Sequence, residues 1–134
     1  MADSLVIIPT YNERENIEKI IRKVFSLEKD FEILIIEDSS PDGTAEIVRS
    51  LMKEFPGRLH MEERKGKLGL GTAYIHGFKW GLSHGYEYIF EMDADFSHNP
   101  DDLLRLYHAC TVQGADLAIG SRYIKGVNVV NWPM

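Results

Sequence analysis

The sequence predicts an α/β fold with a mostly parallel sheet, and two observations lead to this prediction. Short apolar or β-branched runs alternate with stretches in which apolar residues recur at helical spacing. One of these runs, residues 31–36, is almost entirely apolar, which is typical of a strand buried on both faces. Strands that alternate with helices join through right-handed crossovers, so the expected sheet is mostly parallel.

The first half of the chain contains two strand–helix units. Residues 4–9 are a short β-branched run that predicts the first strand, and Asn12 and Glu15 have the spacing of a capping box, which predicts that a helix starts there. The apolar face of this helix consists of Ile17, Ile20, Ile21 and Val24. The second predicted strand, residues 31–36, ends at the turn-forming residues 39–44. The next helical stripe consists of Ile47, Val48, Leu51 and Met52.

Further strands are predicted in the second half of the chain. They cover residues 58–63, 86–92 and 116–119, and the first of them is the weakest because it alternates and ends in charged residues. Residues 126–134 show no periodic pattern and no stop signal. We therefore expect that more chain follows in the natural protein.

The helices predicted between these strands have clear start signals. Residues 66–71 form a glycine-rich turn, and residues 72–83 are expected to be helical despite the two glycines within them. Asn99 and Pro100 supply a cap and a first helical residue for the next helix. Its inward-facing residues are Leu103, Leu104 and Tyr107.

The composition favours one globular domain and argues against two other classes of protein. The chain has 134 residues, of which 44% are hydrophobic and 27% charged, as in a compact domain with a core. Its apolar runs are far shorter than the ~20 residues that cross a bilayer, and no signal segment opens the chain, so a cytosolic protein is expected. The net charge of -6 argues against nucleic-acid binding, which needs a basic surface.

The residues that directly follow the predicted strands are unusually polar and acidic. In an open parallel sheet, ligands bind at the carboxyl ends of the strands, so these residues are the candidates for a site. A single surface carboxylate is often only solvated, but clustering at one sheet edge favours a function. The candidates are Thr10, Tyr11, Asn12, Glu13, Glu37, Asp38, Ser39, Asp93, Asp95, Ser97, Ser121 and Arg122.

Asp93 and Asp95 are the strongest candidates for a metal site. They are two residues apart after a buried strand, so both side chains leave the same face if the strand geometry persists. Two like charges at short range are unfavourable unless a cation lies between them, and carboxylate oxygens suit Mg²⁺ or Mn²⁺. Such an ion would neutralise a diphosphate leaving group. The alternative is a turn and helix cap formed by Asp95 and Asn99 without metal.

The glycine-rich segment matches neither of the common nucleotide-binding patterns. Gly66, Gly69 and Gly71 follow the third strand in the order G-x-x-G-x-G, which is not the dinucleotide-binding pattern, and the chain has no P-loop sequence. A flexible turn that needs positive φ and a phosphate cradle both remain open. Its neighbours Arg64, Lys65 and Lys67 would bring cations to an anionic substrate.

Five segments together carry a family resemblance. They read PTYNE at residues 9–13, EDSSPDGT at 37–44, GKLGLGTAY at 66–74, MDADFSH at 92–98 and GSRY at 120–123. In this order they resemble the dolichol- or polyprenol-phosphate mannosyltransferases of glycosyltransferase family 2. The resemblance implies a three-layer GT-A fold, with residues 1–134 as its nucleotide-sugar-binding part.

The resemblance also implies a donor, a cofactor and an acceptor. The donor would be GDP-mannose, the cofactor Mg²⁺ or Mn²⁺, and the acceptor the phosphate of a polyprenol or dolichol at the cytoplasmic face of a membrane. Rival interpretations are a family 2 transferase that uses UDP-glucose or UDP-N-acetylglucosamine, and a non-catalytic module that binds nucleotide sugars.

Residue roles follow from the resemblance, position by position. The nucleoside would contact Pro9, Tyr11, Glu13, Ile36 and Asp38, and Asp93 and Ala94 would touch the nucleotide. Asp95 and Ser97 would face the metal, and Arg122 would bind phosphate, although an ion pair with a carboxylate is the alternative for Arg122. Asp93, Asp95 and Arg122 are thus the expected catalytic residues. Two positions depart from the family pattern: Glu37 stands where many relatives have Asp, and Ser97 where some have Gln.

The resemblance further predicts that the chain lacks the acceptor side of the enzyme. Family members continue for about as much again, through further acceptor-side residues, and some add transmembrane helices. A membrane-anchoring segment or partner is therefore expected outside this chain. We expect these 134 residues to transfer sugar poorly or not at all, and robust mannosyl transfer by them would contradict this.

Overall fold

A six-stranded sheet with helices on both faces forms the fold. The computed structural model describes residues 3–65, 69–94, 100, 102–111, 117–119 and 128–131. In chain order the elements are β1 (Ser4–Thr10), α1 (Ile17–Phe25), β2 (Glu32–Glu37), α2 (Thr44–Glu54), β3 (Leu59–Glu63), α3 (Leu70–Ser83), β4 (Tyr88–Glu91), α4 (Asp102–Thr111), β5 (Leu117–Ile119) and β6 (Asn128–Asn131). The strand order is β3-β2-β1-β4-β6-β5. The predicted α/β class is confirmed.

Strands β1 to β4 are parallel, as the alternation of strands and helices predicted. β1 lies between β2 and β4, and β2 pairs with β3 on its other side. All six residues of β2 are buried, which confirms the interpretation of residues 31–36 as a strand covered on both faces. Because all four strands point the same way, their carboxyl ends lie at one edge of the sheet.

Helices lie on both faces of the sheet, so the fold has three layers. One face carries Val6, Ile8, Ile33 and Ile35, and these residues pack with apolar side chains of α1, α2 and α4. The opposite face carries Leu5, Ile7, Leu34, Ile36 and Ile89, which pack against α3. No helix in the described part of the chain is long and apolar enough to cross a membrane.

The prediction that the first helix starts at Asn12 and Glu15 is wrong. α1 begins at Ile17, and its cap residue, Asn16, makes no side-chain capping bond. Asn12 instead has a φ of 56°, in the left-handed region, and its backbone N–H donates to Ser40 Oγ at 2.9 Å. The contacts between this segment and the loop after β2 therefore override the local capping pattern.

The sequence also failed to predict β6. This strand, Asn128–Asn131, pairs antiparallel with β4 on one side and with β5 on the other. Two antiparallel pairings in succession restore the direction, so β5 runs the same way as β1 to β4. The sheet is mostly parallel, as predicted, with β6 as its antiparallel strand.

Candidate functional site

The carboxyl edge of β1, β2, β3 and β4 is the candidate site. Thr10 ends β1, Glu37 and Asp38 lie at the end of β2, Arg64 follows β3, and Asp93 lies two residues beyond β4. The parallel register brings these strand ends to one side of the sheet, which confirms the predicted clustering for β1, β2 and β4. Asp95, Ser97, Ser121 and Arg122 lie outside the described residues.

Glu37 is a buried carboxylate that ties the ends of β1 and β2 together. Only 1% of its surface is exposed. Its Oε1 accepts hydrogen bonds from Thr10 Oγ1 at 2.9 Å and from Ser40 Oγ at 2.5 Å, and its Oε2 accepts from the Ser40 N–H at 2.9 Å. A buried charge needs such donors to offset its lost hydration. Glu37 thereby fixes the loop after β2 relative to β1.

A second set of hydrogen bonds joins the segment after β1 to the loop between β2 and α2. Thr44 Oγ1 accepts from the backbone N–H of Glu13 at 3.1 Å, and Asp42 Oδ2 accepts from the N–H of Arg14 at 3.2 Å. Asp42 Oδ1 also accepts from the Thr44 N–H at 3.0 Å. Desolvation acts to raise the pKa of Asp42, but the bonds from Thr44 and Arg14 outweigh it and hold that pKa below its ordinary value. The segment that holds Tyr11 and Glu13 is thus fixed by polar contacts.

Two residues at this edge have a left-handed backbone. Asn12 has a φ of 56° and Ser39 a φ of 54°. This conformation is uncommon for residues other than glycine and is found often at functional sites. The Ser39 hydroxyl donates to the Arg64 carbonyl at 2.5 Å and so stabilises the turn. Both turns lie where a strand gives way to a loop of the candidate site.

Asp38 is held by a bidentate ion pair with Arg64. Arg64 Nε donates to Asp38 Oδ1 at 2.7 Å, and its Nη2 donates to Oδ2 at 2.8 Å. The two side chains are only 9% and 7% exposed. Arg64 also donates to Thr72 Oγ1 at 3.1 Å and to the Gly69 carbonyl at 3.4 Å. Arg64 therefore connects the end of β2, the end of β3 and the start of α3.

Asp93 is held by a residue of α3. The Tyr74 hydroxyl donates to Asp93 Oδ1 at 2.7 Å. Asp93 is half-buried, and the adjacent Ala94 is buried. The described residues of the segments MDADFSH and GKLGLGTAY, which are separate in the sequence, thus meet through a charge-assisted hydrogen bond.

The remaining predicted nucleoside residues differ in their exposure. Tyr11 is exposed, and Pro9 and Glu13 are half-buried at the end of β1. The Ile36 side chain is fully buried among the apolar residues that face α3. Ile36 therefore lies beneath this edge of the sheet rather than on its surface.

The oxygen atoms of the Asp93 carboxylate are donors that suit a divalent metal ion. Its carboxylate supplies hard oxygen atoms at the sheet edge where ligands of such folds bind. Both carboxylate oxygens of Asp38, in contrast, accept hydrogen bonds from Arg64. Among the described residues, no group of three or more His, Cys, Asp or Glu side chains is arranged to hold a metal ion. Asp95 and Ser97, which were predicted to face the metal, are not among those residues.

Sequence reasoning did not assign the roles of Arg64 and Tyr74. Arg64 was noted only as a cation beside the glycines, although its position directly after β3 places it at the same edge as Asp38. The strand-end rule that found Asp38 and Asp93 applies equally to Arg64. Tyr74 lies within a helix, and no local pattern distinguishes it from a packing residue.

The chain matches a family model and several curated proteins. The model described as glycosyl transferase family 2 matches residues 5–134. A polyprenol monophosphomannose synthase of Mycolicibacterium smegmatis is 52% identical over 97% of this chain and 49% of that protein. An undecaprenyl-phosphate mannosyltransferase of Micrococcus luteus is 46% identical over 96% of this chain and 52% of that protein. The chain thus spans about half the length of these two relatives.

Solved structures share the fold at low sequence identity. A mannosyltransferase of Pyrobaculum calidifontis in complex with GDP-Man and Mn²⁺ matches 97% of this chain and 44% of that chain, with a TM-score of 0.74 and 19% identity. A glucosyl-3-phosphoglycerate synthase of Mycobacterium tuberculosis in complex with Mn²⁺, UDP and glucosyl-3-phosphoglycerate matches 97% of this chain and 57% of that chain, with a TM-score of 0.70 and 15% identity. These likenesses confirm the expected GT-A fold.

Proposed function

Because the chain belongs to glycosyl transferase family 2, we propose that it forms the donor-binding part of an inverting mannosyltransferase. The donor is GDP-mannose, and the acceptor is a polyprenol or dolichol phosphate. The observation that carries the proposal is that relatives matching nearly the whole chain are named for mannose and a polyprenol phosphate. A dolichol-phosphate mannosyltransferase of Pyrococcus furiosus, 40% identical over 96% of this chain and 35% of that protein, adds support.

The nucleoside is proposed to bind along the ends of β1 and β2. Pro9, Tyr11 and Glu13 lie on the segment that the hydrogen bonds of Ser40, Asp42 and Thr44 fix in place. Asp38 presents a carboxylate whose position is set by Arg64, and Ile36 lies buried beneath the same edge of the sheet. A preorganised site of this kind loses little conformational freedom on binding.

The diphosphate is proposed to lie toward the end of β4. Asp93 and Ala94 face the nucleotide, Asp95 and Ser97 would hold a divalent ion, and Arg122 binds phosphate as a bidentate partner. When bound, Mg²⁺ or Mn²⁺ supplies positive charge that neutralises the departing diphosphate. Mn²⁺ is present in the related structures of both the GDP-Man and the UDP complexes, which supports a divalent ion without choosing between the two metals.

The proposed acceptor makes a strong general base unnecessary. A phosphate monoester has a second pKa of about 6, so a lipid phosphate is already a nucleophilic anion near neutral pH. The site must then orient two anions and offset the charge that develops on the leaving group. Asp93, Asp95 and Arg122 are the residues proposed to do this together.

The donor is tested by titrating the chain with GDP, GDP-mannose, UDP and UDP-glucose in a calorimeter, with and without Mn²⁺. We expect the two guanine nucleotides to bind more tightly than the two uridine nucleotides. We also expect the binding of GDP and of GDP-mannose to require Mn²⁺. Tighter binding of UDP-glucose would instead favour a family 2 transferase with a UDP-sugar donor. The absence of binding by all four would overturn the proposed function.

The same titration with Asp95→Ala tests the metal assignment. We expect the variant to lose the dependence of GDP affinity on Mn²⁺, because a hard oxygen ligand has been removed. Asp30→Ala is the matched control, since Asp30 is exposed and precedes β2 at the opposite edge of the sheet. Asp30→Ala should bind GDP and Mn²⁺ as the parent does. A metal dependence that persists in Asp95→Ala would contradict the assignment.

The acceptor places the working enzyme at the cytoplasmic face of a membrane as a peripheral protein. This location, and a membrane-anchoring segment or partner outside the chain, are part of the proposal. We expect the complete protein to float with vesicles that contain polyprenyl phosphate and to do so less with vesicles that lack it. Equal flotation with both vesicle types would argue against recognition of the lipid phosphate.

A further inference from the structure

The first part of α3 is linked to two carboxylates of the proposed donor site, to Asp93 directly and to Asp38 through Arg64. Thr72 and the Gly69 carbonyl accept hydrogen bonds from Arg64, the residue that holds Asp38. Two residues after Thr72, the Tyr74 hydroxyl donates directly to Asp93 Oδ1 at 2.7 Å. The proposed function assigns no role to Tyr74.

The Tyr74 hydroxyl is held in a fixed position by the packing of its helix. Ala73, beside it, is 1% exposed and belongs to the buried cluster that includes Ile7 and Leu34 of the sheet, and Tyr74 packs against the same cluster. A packed aromatic ring has only two torsions to order, so its hydroxyl can hold a carboxylate at little further entropic cost. Tyr74 therefore has the properties of a donor that is already in place.

Asp93 needs such a donor more than Asp38 does. Asp38 is fixed through both of its oxygens by a nearly buried guanidinium. Asp93 lies beyond the end of β4, outside the strand's ladder, and its side chain is half-buried. The bond from Tyr74 selects one orientation of this carboxylate.

We propose that Tyr74 is a positioning residue that holds the Asp93 carboxylate in the orientation in which it contacts the nucleotide. The inference rests on the proposed function, because it assigns Tyr74 to the same donor site. A residue that hydrogen-bonds to a binding side chain fixes the orientation of that side chain. It thereby changes the affinity of the site without contacting the bound molecule.

The test compares Tyr74→Phe with Tyr86→Phe in binding GDP in the presence of Mn²⁺. Tyr74→Phe removes only the hydroxyl, and we expect the dissociation constant to rise about tenfold, the lower end of the range for lost orienting partners. Tyr86 is the matched control, since its hydroxyl also donates to a carboxylate, Glu32, but at the amino-terminal edge of the sheet. Tyr86→Phe should lose thermal stability and keep the parent's affinity.

A double-mutant cycle with Asp93→Ala, which removes the acceptor of the Tyr74 hydroxyl, separates positioning from general stability. If Tyr74 acts through Asp93, adding Tyr74→Phe to Asp93→Ala should change the dissociation constant by less than about twofold. An undiminished effect of Tyr74→Phe in the Asp93→Ala background would overturn the inference. So would a parent-like affinity of Tyr74→Phe. No GDP binding by the parent would instead overturn the proposed function itself.

A fluorotyrosine placed at position 74 alone provides a measurement that does not depend on the folding of Tyr74→Phe. This residue keeps the hydroxyl, and its fluorine NMR signal should shift when Mg²⁺ and GDP are added. The same label at position 86 should not respond. An unchanged signal at position 74 under conditions where GDP binds would also overturn the inference.

Discussion

Replacing Arg64 by leucine should lower the free energy of unfolding by about 3–5 kcal/mol, the usual cost of removing one partner of a buried ion pair. The Asp38 carboxylate would keep its burial but lose the guanidinium that donates to both of its oxygens. Arg64→Leu would also release the contacts with Thr72 and Gly69 that join β3 to α3. Urea unfolding followed by circular dichroism measures the change.

Arg22 provides the matched control for Arg64. Its guanidinium also makes a bidentate pair, with Glu54 at 2.6 and 2.9 Å, but the two side chains are 45% and 50% exposed. Water and salt screen an exposed pair, so Arg22→Leu should destabilise the protein far less than Arg64→Leu. In the double variant Arg64→Leu with Asp38→Leu, part of the lost stability should return, because no unpaired charge remains buried. Equal losses for Arg22→Leu and Arg64→Leu would show that burial does not decide the cost.

The central strands of this fold could be predicted because parallel strands are buried on both faces. Residues 31–36 are almost entirely apolar for that reason, and the observed strand, Glu32–Glu37, differs by one residue at each end. The polar residues after each strand marked the edge where a ligand binds, so Asp38 and Asp93 were found from position alone. Burial patterns are local, and the sequence displays them directly.

The features that escaped prediction depend on contacts between distant residues. The sequence contains the capping pattern at Asn12, but the Asn12 N–H donates its hydrogen bond to Ser40, 28 residues away. β6 has only Val129 and Val130 as apolar residues, a run too short to indicate a strand without its partners. The bonds from Arg64 to Asp38 and from Tyr74 to Asp93 span 26 and 19 residues. No local pattern records which side chains will meet across such separations.

The glycines of α3 have a role in packing that the helix propensity of glycine does not indicate. Glycine disfavours helical structure, so Gly77 and Gly81 weaken the sequence-based prediction of this helix. Together with Ala73 they lie four residues apart along the helix, all buried against the sheet. A Cβ on Gly81 would lie 2.9 Å from Ile89 Cδ1. The glycines therefore allow α3 to approach the sheet closely, which is the approach that brings Tyr74 within reach of Asp93.

Gly77→Ala should accordingly destabilise the protein, by about 1–3 kcal/mol, the usual cost of overpacking a filled core. An added Cβ would lie 2.6 Å from Ile7 Cγ2 and 2.8 Å from Ile7 Cδ1. Ile7 is fully buried in the central strand, so it cannot turn away without displacing its neighbours. Differential scanning calorimetry measures the loss as a lower melting temperature.

Gly71→Ala, in the same helix, is the control that separates crowding from helix propensity. Nothing lies within 4 Å of a Cβ added at Gly71. Alanine there should stabilise α3 by about 0.5–1 kcal/mol, because it restricts the unfolded chain more than glycine does. Opposite signs for the two substitutions would attribute the Gly77 effect to the approach of α3 to β1. If Gly77→Ala also raised the melting temperature, the space between α3 and Ile7 would accommodate an added methyl group. Close packing of α3 against β1 could then not be what fixes Tyr74 beside Asp93.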